Sequence, residues 1–315
     1  MDRERTTRTA RSALVVIAVL AASLLLTRGT ADAAPTPIGL GAATAFAVRG
    51  GSGVSNVPVS VISGDVGLSP AAGTGYSGLT CAEVTGGIFS VDGTGPAPCV
   101  VGNAGLMTTV EDDARSAFNH TSALPGASPI GPDLAGGSLV AGIYSFGGAP
   151  TNLSGTLSLN AQGDADAVWI FQASSTLITS SASTVQFTNL PAGTTADELA
   201  CNVYWTVGSS ATIASNTTFV GTVLASASIS AVTGATVTGR LLAGNAAGGG
   251  GAVTLQMNTI IRPTGCAELP PGTGGGPATT LPPATTGPPG GTSIPPGGTI
   301  PPGPPPVSGP PNFTA

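Results

Sequence analysis

Between residues 203 and 261, apolar and polar residues alternate in short stretches that are separated by turns rich in small residues. Two of these stretches begin alike, with Gly221-Thr-Val-Leu-Ala225 and Gly239-Arg-Leu-Leu-Ala243, 18 residues apart. Alternation with a period of two is typical of a strand with one buried side, and repetition at a fixed interval is typical of stacked coils. The pattern therefore predicts a β-solenoid.

Hydroxyl residues directly precede the apolar positions that this alternation predicts to face inward. Because neighbouring residues of a strand face opposite sides, these hydroxyl residues are expected to face outward. Coils of a solenoid lie about 4.7–4.9 Å apart, so equivalent residues would stack into ladders. Threonine also suits any exposed strand position, which is the simpler explanation for each one taken alone. One expected ladder contains Thr184, Thr218, Thr236 and Thr259, and the other contains Thr212, Ser228 and Thr254.

The period of the apolar residues changes from two to that of a helix after Asn103. An apolar stripe at helical spacing predicts one α-helix near 103–121, with Asn103 as its N-cap. The helix is expected to lie along one side of the solenoid, because its stripe must be buried against something. The stripe consists of Leu106, Val110, Ala114 and Ala117.

Short alternating stretches on both sides of this helix predict further strands. One runs from Val57 to Ser63, and others lie at 142–146, 155–159 and 167–171. Between the first of these and the helix, an irregular segment near 71–101 is expected to be a capping insertion.

Both ends of the chain differ in composition from the region between them. The first 33 residues combine a basic start, an apolar run and small residues before Ala34, which predicts a secretory signal peptide. Residues 267–315 contain 16 prolines in 49 positions and are predicted to be a disordered, extended tail. The solenoid domain is therefore expected at 34–266 of a secreted protein, with association with the cell surface left open.

The predicted mature chain carries few charges and no lysine. Removal of 1–33 leaves four arginines against twelve acidic residues, so the surface is weakly acidic. Such a surface does not attract nucleic acid or anionic membranes, and no stable membrane span is expected after cleavage. Low charge and many small residues are compatible with thin stacked coils.

Four cysteines in an exported chain predict two disulfides. Cys81 and Cys99 flank the capping insertion, whereas Cys201 and Cys266 flank the coils of the repeat region. Pairing within each of these two sets is the favoured connectivity, and other pairings stay open. Metal binding is the alternative, but it lacks a Cys-x-x-Cys motif or a histidine partner, so no cofactor is expected.

Seven segments of the chain, in sequence order, carry a recognisable pattern. They are LGAATAFAV (40–48), ISGDVGLSP (62–70), GIYSF (142–146), LSGTLSLNAQGDADAVWIFQ (153–172), NVYWTVGSSATI (202–213), FVGTVLA (219–225) and TGATVTGRLLA (233–243). Taken together, these segments resemble the microbial ice-binding-like family. The resemblance implies a mainly β fold, a right-handed discontinuous β-solenoid of triangular section with one α-helix alongside. It also implies that the N-terminal coil lies beside C-terminal coils and that the activity is adsorption to ice. The Thr-Ala/Gly-x-Thr/Asn pattern that is linked to ice binding in some members occurs here at Thr233-Gly-Ala-Thr236.

The leading hypothesis is therefore a monomeric secreted antifreeze protein whose partner is the ice surface. The strand class that holds Arg240, Trp169, Tyr204 and Trp205 is expected to face the helix. Of the two hydroxyl faces, the one with the Thr184 ladder is favoured as the contact surface. The alternative is a cell-envelope adhesin or structural solenoid without strong affinity for ice.

An enzyme is not expected, because no catalytic constellation is evident. A solenoid lyase would need clustered carboxylates with calcium or a basic residue in a groove. His120 is expected at the end of the helix, where it would interact with the helix dipole. The carboxylates of 111–113 are expected on a solvated helix face, and those of Asp164 and Asp166 in a turn.

Overall fold

A computed structural model describes residues 34–148 and 150–276 of the protein. The predicted signal peptide and residues 277–315 of the predicted tail lie outside the described residues. The helices are α1 (Ala104–Ala123) and α2 (Ala196–Ala200). The strands are β1 (Phe46–Gly50), β2 (Gly53–Val57), β3 (Val61–Ser63), β4 (Asp65–Leu68), β5 (Tyr76–Ser77), β6 (Ile88–Ser90), β7 (Val100–Gly102), β8 (Ser128–Ile130), β9 (Ser138–Val140), β10 (Gly142–Phe146), β11 (Thr151–Leu153), β12 (Thr156–Asn160), β13 (Trp169–Ala173), β14 (Leu177–Thr179), β15 (Thr184–Thr188), β16 (Val203–Val207), β17 (Ala211–Ile213), β18 (Thr218–Ala225), β19 (Ile229–Ala231), β20 (Thr236–Leu242), β21 (Ala252–Gln256) and β22 (Thr259–Ile261).

These strands pair in parallel and stack as the coils of a solenoid with three faces, which confirms the predicted fold class. From β8 to β22 the coils stack in chain order. The first coil does not follow this order, because β1, β2 and β3 pair with β20, β21 and β22. Val48 lies opposite Leu241, and Ile62 lies opposite Ile260. The expected discontinuous order of coils is therefore confirmed.

The segment near 71–101 extends the solenoid at the end that the first coil occupies. Its strand β5 pairs with β2, β6 pairs with β4, and β7 pairs with β6. A disulfide between Cys81 and Cys99 closes this segment, and a second disulfide joins Cys201 to Cys266. Both favoured pairings are confirmed.

Helix α1 covers one side of the solenoid, as the apolar stripe predicted. Asn103 caps the helix by accepting a hydrogen bond of 3.0 Å from the backbone N–H of Leu106. Its buried apolar residues Met107, Val110, Ala114 and Ala117 pack against outward residues of the coils beneath, whereas Leu106 of the predicted stripe is half-buried beside them. Those partners are Phe46, Val168, Ile170, Tyr204, Leu224 and Leu242.

The interior of the solenoid is filled by the inward residues of all three faces. Its largest side chains are aromatic and stack from coil to coil, with Phe171 and Trp205 ring centroids 3.9 Å apart. Trp205 in turn packs on Phe219 at 5.1 Å. Trp169 is also fully buried in this interior. Stacked aromatic rings give the thin coils more apolar burial than aliphatic residues alone would supply.

Two boundaries differ from the sequence-based prediction. The strand predicted from Val57 to Ser63 is interrupted, since β2 ends at Val57 and β3 begins at Val61. The chain turns a corner of the triangle between them, where the inward Ser60 is held by side-chain hydrogen bonds. The predicted tail also begins too early, because residues 269–276 pair through backbone hydrogen bonds with 36–41.

Candidate functional site

The helix face consists of the outward sides of β1, β4, β6, β7, β8, β10, β13 and β16 and the C-terminal halves of β18 and β20. Helix α1 and residues 36–45 cover its central part. Tyr204 faces the helix, whereas Trp169 and Trp205 of the same strand class face the interior. Arg240 faces outward as expected but is fully buried, and its Nε donates to the carbonyl of Thr44 at 3.0 Å. Because the centre of the helix face is covered, this face cannot contact a large flat partner.

The second face, named here the ladder face, is formed by the outward sides of β9, β12, β15, β22, β3 and the N-terminal halves of β18 and β20. Thr184 lies opposite Thr218, and Thr218 lies opposite Thr236. Thr236 in turn lies opposite Thr259. The register predicted for these four threonines is therefore present, and their spacing is that of successive coils, about 4.8 Å.

The ladder continues beyond these four residues in both directions. Thr156 lies opposite Thr184 at one end, and Val61 lies opposite Thr259 at the other. Sequence reasoning missed Thr156 because the interval between coils varies, and it missed Val61 because the first coil pairs with the last one. The repeat of 18 residues that relates Thr218 to Thr236 becomes 34 between Thr184 and Thr218, where α2 is inserted. The available signal was the Gly-Thr-Leu pattern at the start of β12.

Most strands of the ladder face carry a second outward residue two positions after the ladder residue. Ser158 lies opposite Gln186 on one side, and Thr238 lies opposite Ile261 on the other. Successive outward residues of a strand are about 6.6 Å apart. At β18 the corresponding residue, Val220, is only 8% exposed and packs in the core, so the second row is interrupted there. The outward members of the second row are Ser138, Ser158, Gln186, Thr238, Ile261 and Ser63.

The third face is the outward side of β11, β14, β17, β19, β21, β2 and β5. Here Thr212 lies opposite Ser230, and Ser230 lies opposite Thr254. The expected place of Ser228 in this ladder is wrong, since Ser228 precedes β19 and its Oγ accepts a hydrogen bond from Ala252 N. The insertion at 248–251 and the short strands obscured the true register. Most strands of this face have three residues and offer one outward position.

Thr233 occupies a turn rather than a strand. It is exposed, and its Oγ1 donates to Gln256 Oε1 at 3.1 Å. The turn that contains it leads from the third face to Thr236 of the ladder face. The Thr233–Thr236 motif therefore contributes one residue to a corner and one to the ladder.

The strand segments that form the ladder face contain no charged residue, because Arg240 lies in the C-terminal half of β20 on the helix face. The strands of the third face contain none either, among the residues that the structure describes. The carboxylates predicted on a solvated helix side behave differently from one another. Asp112 is exposed, but Glu111 is nearly buried against the solenoid, where it accepts a hydrogen bond from Ser69 Oγ and lies 3.8 Å from Arg49. Burial lowers the pKa of Arg49 to about 10, although Glu111 opposes this shift.

Other candidate chemical groups are scattered. His120 Nε2 lies 2.7 Å from the carbonyl oxygen of Gly274, close to the end of α1. Asp164 accepts from the backbone N–H of Asp166 within a turn. Within 34–148 and 150–276, acidic, cysteine and histidine side chains form no group of three that could hold a metal ion. In the same ranges, no helix is both long and apolar enough to cross a membrane.

These features define a helix-flanked, discontinuous β-solenoid with a threonine-rich face whose strand segments carry no charge. A sequence profile described as ice-binding-like matches residues 48–261. An ice-binding protein of Colwellia sp is 35% identical over 235 residues, covering 74% of this chain and 86% of the relative. A crystal structure of an ice-binding protein from the Antarctic ascomycete Antarctomyces psychrotrophicus superposes with a TM-score of 0.57 at 36% identity, covering 73% of this chain and 100% of that one. The chain therefore belongs to the ice-binding-like family.

Proposed function

We propose that the protein adsorbs to ice through the ladder face and so inhibits ice growth and recrystallisation. The observation that supports this most directly is the outward ladder of five threonines and Val61, which is in register over six coils and whose strand segments carry no charged residue. An ice surface is a repeating, uncharged array of hydrogen-bond donors and acceptors, so a flat and repetitive receptor suits it. The matched relatives are themselves named ice-binding proteins.

The chemistry of threonine suits this task. Its β-branched side chain has a restricted χ1 angle, so hydroxyl and methyl groups are ordered before binding and lose little entropy on adsorption. Waters held between the ladder hydroxyls can join the crystal lattice, because water-mediated contacts rival direct ones in enthalpy. Adsorbed molecules then force the ice front to curve between them, which lowers the temperature at which the front advances.

The ladder face is preferred to the third face because most of its strands carry two outward residues, whereas most strands of the third face carry one. A second outward residue adds contacts along the strand to the contacts along the ladder. Thr218, Thr236 and Thr259 would form its centre, with Thr184 and Thr156 extending it. We further propose that the protein acts by adsorption and not by catalysis, as a secreted monomer.

The test compares one bulky substitution on the two faces. Thr218→Tyr and Thr236→Tyr should each abolish most of the thermal hysteresis, because a ring above the ladder holds the face away from ice. Thr212→Tyr, a similarly placed change on the third face, is the matched control and should retain activity. Circular dichroism at low temperature verifies folding. Full activity of both ladder variants would exclude this face, and an inactive wild type would favour an envelope module.

A further inference from the structure

A row of buried residues lies directly behind the ladder. The residues that precede five of the six ladder positions face the interior, at the corner where the chain turns from the third face to the ladder face. The exception is Gly155, which precedes Thr156 and is half-buried. None of the five is more than 1% exposed, yet four of them are polar. We name this set the corner row, which consists of Ser183, Thr217, Ala235, Asn258 and Ser60.

The polar side chains of the corner row join adjacent coils. Ser183 Oγ is 2.7 Å from the carbonyl oxygen of Leu153, which belongs to the preceding coil, and also 2.7 Å from that of Ser180. Thr217 Oγ1 lies 3.2 Å from the Ser180 carbonyl oxygen and 3.1 Å from Thr179 Oγ1. The coil that carries Thr218 is thus joined by a side chain to the coil before it.

The same arrangement recurs at the other end of the row. Asn258 Nδ2 donates to the carbonyl of Val232 at 2.8 Å and to that of Ala235 at 3.3 Å. The backbone N–H of Asn258 donates to Ser60 Oγ at 3.0 Å, and Ser60 Oγ donates to Asn56 Oδ1 at 2.7 Å. Asn258 therefore spans three coils, including the first coil of the chain.

The backbone at these corners also has a recurring left-handed residue. Four residues that lie two positions before a ladder threonine adopt the left-handed conformation, with φ between 50° and 73°. This conformation is unfavourable for residues with a side chain other than Asn, so the surrounding contacts must impose it. The four are Ala182, Asn216, Gly234 and Met257.

We propose that the polar corner row consists of positioning residues for ice adsorption, which hold the ladder threonines in register and orientation. The proposal rests on the proposed function. Buried hydrogen bonds in a low-dielectric interior are strong and directional, so they resist sliding of one coil against the next. Ala235 lacks such a side chain, and the Asn258 amide, which binds the Ala235 carbonyl, serves that corner instead.

Thr217→Val is the decisive variant, because valine keeps the shape of threonine and removes its hydroxyl. Thermal hysteresis should fall at least about two-fold, since less ordered ladder side chains lose more entropy on adsorption. NMR relaxation should show lower methyl order parameters for Thr218 and Thr236. Thr217→Ser should restore most of both quantities. Ser183→Ala provides a second route if the valine variant does not fold.

Thr151→Val is the matched control. Thr151 is equally buried, on the third face, and its hydroxyl has no hydrogen-bond partner among the described residues. Hysteresis and ladder order should therefore be unchanged. Full hysteresis and order in Thr217→Val, or an equal loss in Thr151→Val, would overturn the positioning role. An inactive wild type would reject the proposed function. The methyl order parameters are measured without ice, so they would still show whether the corner row orders the ladder threonines.

Discussion

Thr259 and Val61 lie opposite each other in parallel register on adjacent coils, although most of the folded chain separates them in sequence. The first coil thus continues a surface that C-terminal coils begin. Val61 is 51% exposed, so it presents its two methyl groups where the preceding ladder positions each present a methyl and a hydroxyl. The ladder face is therefore made by both ends of the domain.

Val61→Thr should extend the ladder to a sixth threonine and raise thermal hysteresis. The side chains have nearly the same shape and the site is exposed, so the free energy of unfolding should change by less than about 0.5 kcal/mol. Val59→Thr is the control, since Val59 is more exposed but lies in the corner between β2 and β3. Equal gains from both variants would show that added hydroxyls, and not their register, matter.

Glu111→Gln should destabilise the protein by about 3 kcal/mol, because it leaves the buried guanidinium of Arg49 without its nearest anion. The remaining acceptors of Arg49 are neutral, among them the carbonyls of Ala243 and Ser69. Asp112→Asn is the matched change at an exposed site and should cost less than about 0.5 kcal/mol. Denaturant unfolding measures both. Similar small effects would mean that the buried pair is energetically neutral.

Ala182→Gly should raise the free energy of unfolding by about 1 kcal/mol, because glycine adopts a left-handed backbone without the strain of a Cβ atom. The φ angle of Ala182 is 59°, and its side chain is exposed, so little packing is lost. The same change at Ala192, an exposed turn residue whose φ is not positive, should lower stability. Thermal denaturation of both variants is the measurement, and a loss in both would contradict the strain argument.

Hysteresis should not depend on pH wherever the protein is folded, because the strand segments that form the ladder face carry no titratable group. Stability should depend on pH at the acid end. Burial raises the pKa of Glu83, but hydrogen bonds from Ser60, Thr80 and Asn56 outweigh it and leave the pKa below its ordinary value. The stabilisation is complete above the ordinary glutamate pKa of about 4.3 and is lost as the pH falls through the lowered value.

Glu83→Gln isolates this contribution. The variant should be less stable than wild type at neutral pH, and the difference should shrink as the solution is acidified. Hysteresis measured from about pH 9 down to the lowest pH at which each protein stays folded should be constant for both proteins. A hysteresis that follows the titration of a carboxylate in this range would contradict an uncharged contact surface.

Local pattern was sufficient for several features of this protein. Alternation predicts strands wherever one side is buried, and the stripe after Asn103 predicts α1, because both signals depend only on neighbouring residues. The ladder from Thr184 to Thr259 was also predictable, since the outward threonine always precedes an inward apolar residue. Cysteine placement indicated both disulfides.

Tertiary structure decided what depends on register between coils. The sequence placed Ser228 in the ladder where the structure has Ser230, two residues later. The insertion at 248–251 hides the alignment that brings Ser230 beside Thr254. Thr156 and Val61 joined the ladder only through pairing of coils at irregular or reversed sequence intervals. The pattern of apolar and polar residues indicates which side of a strand is buried. It does not indicate which strand lies beside another, and only the pairing of strands brings threonines that are distant in sequence onto one surface.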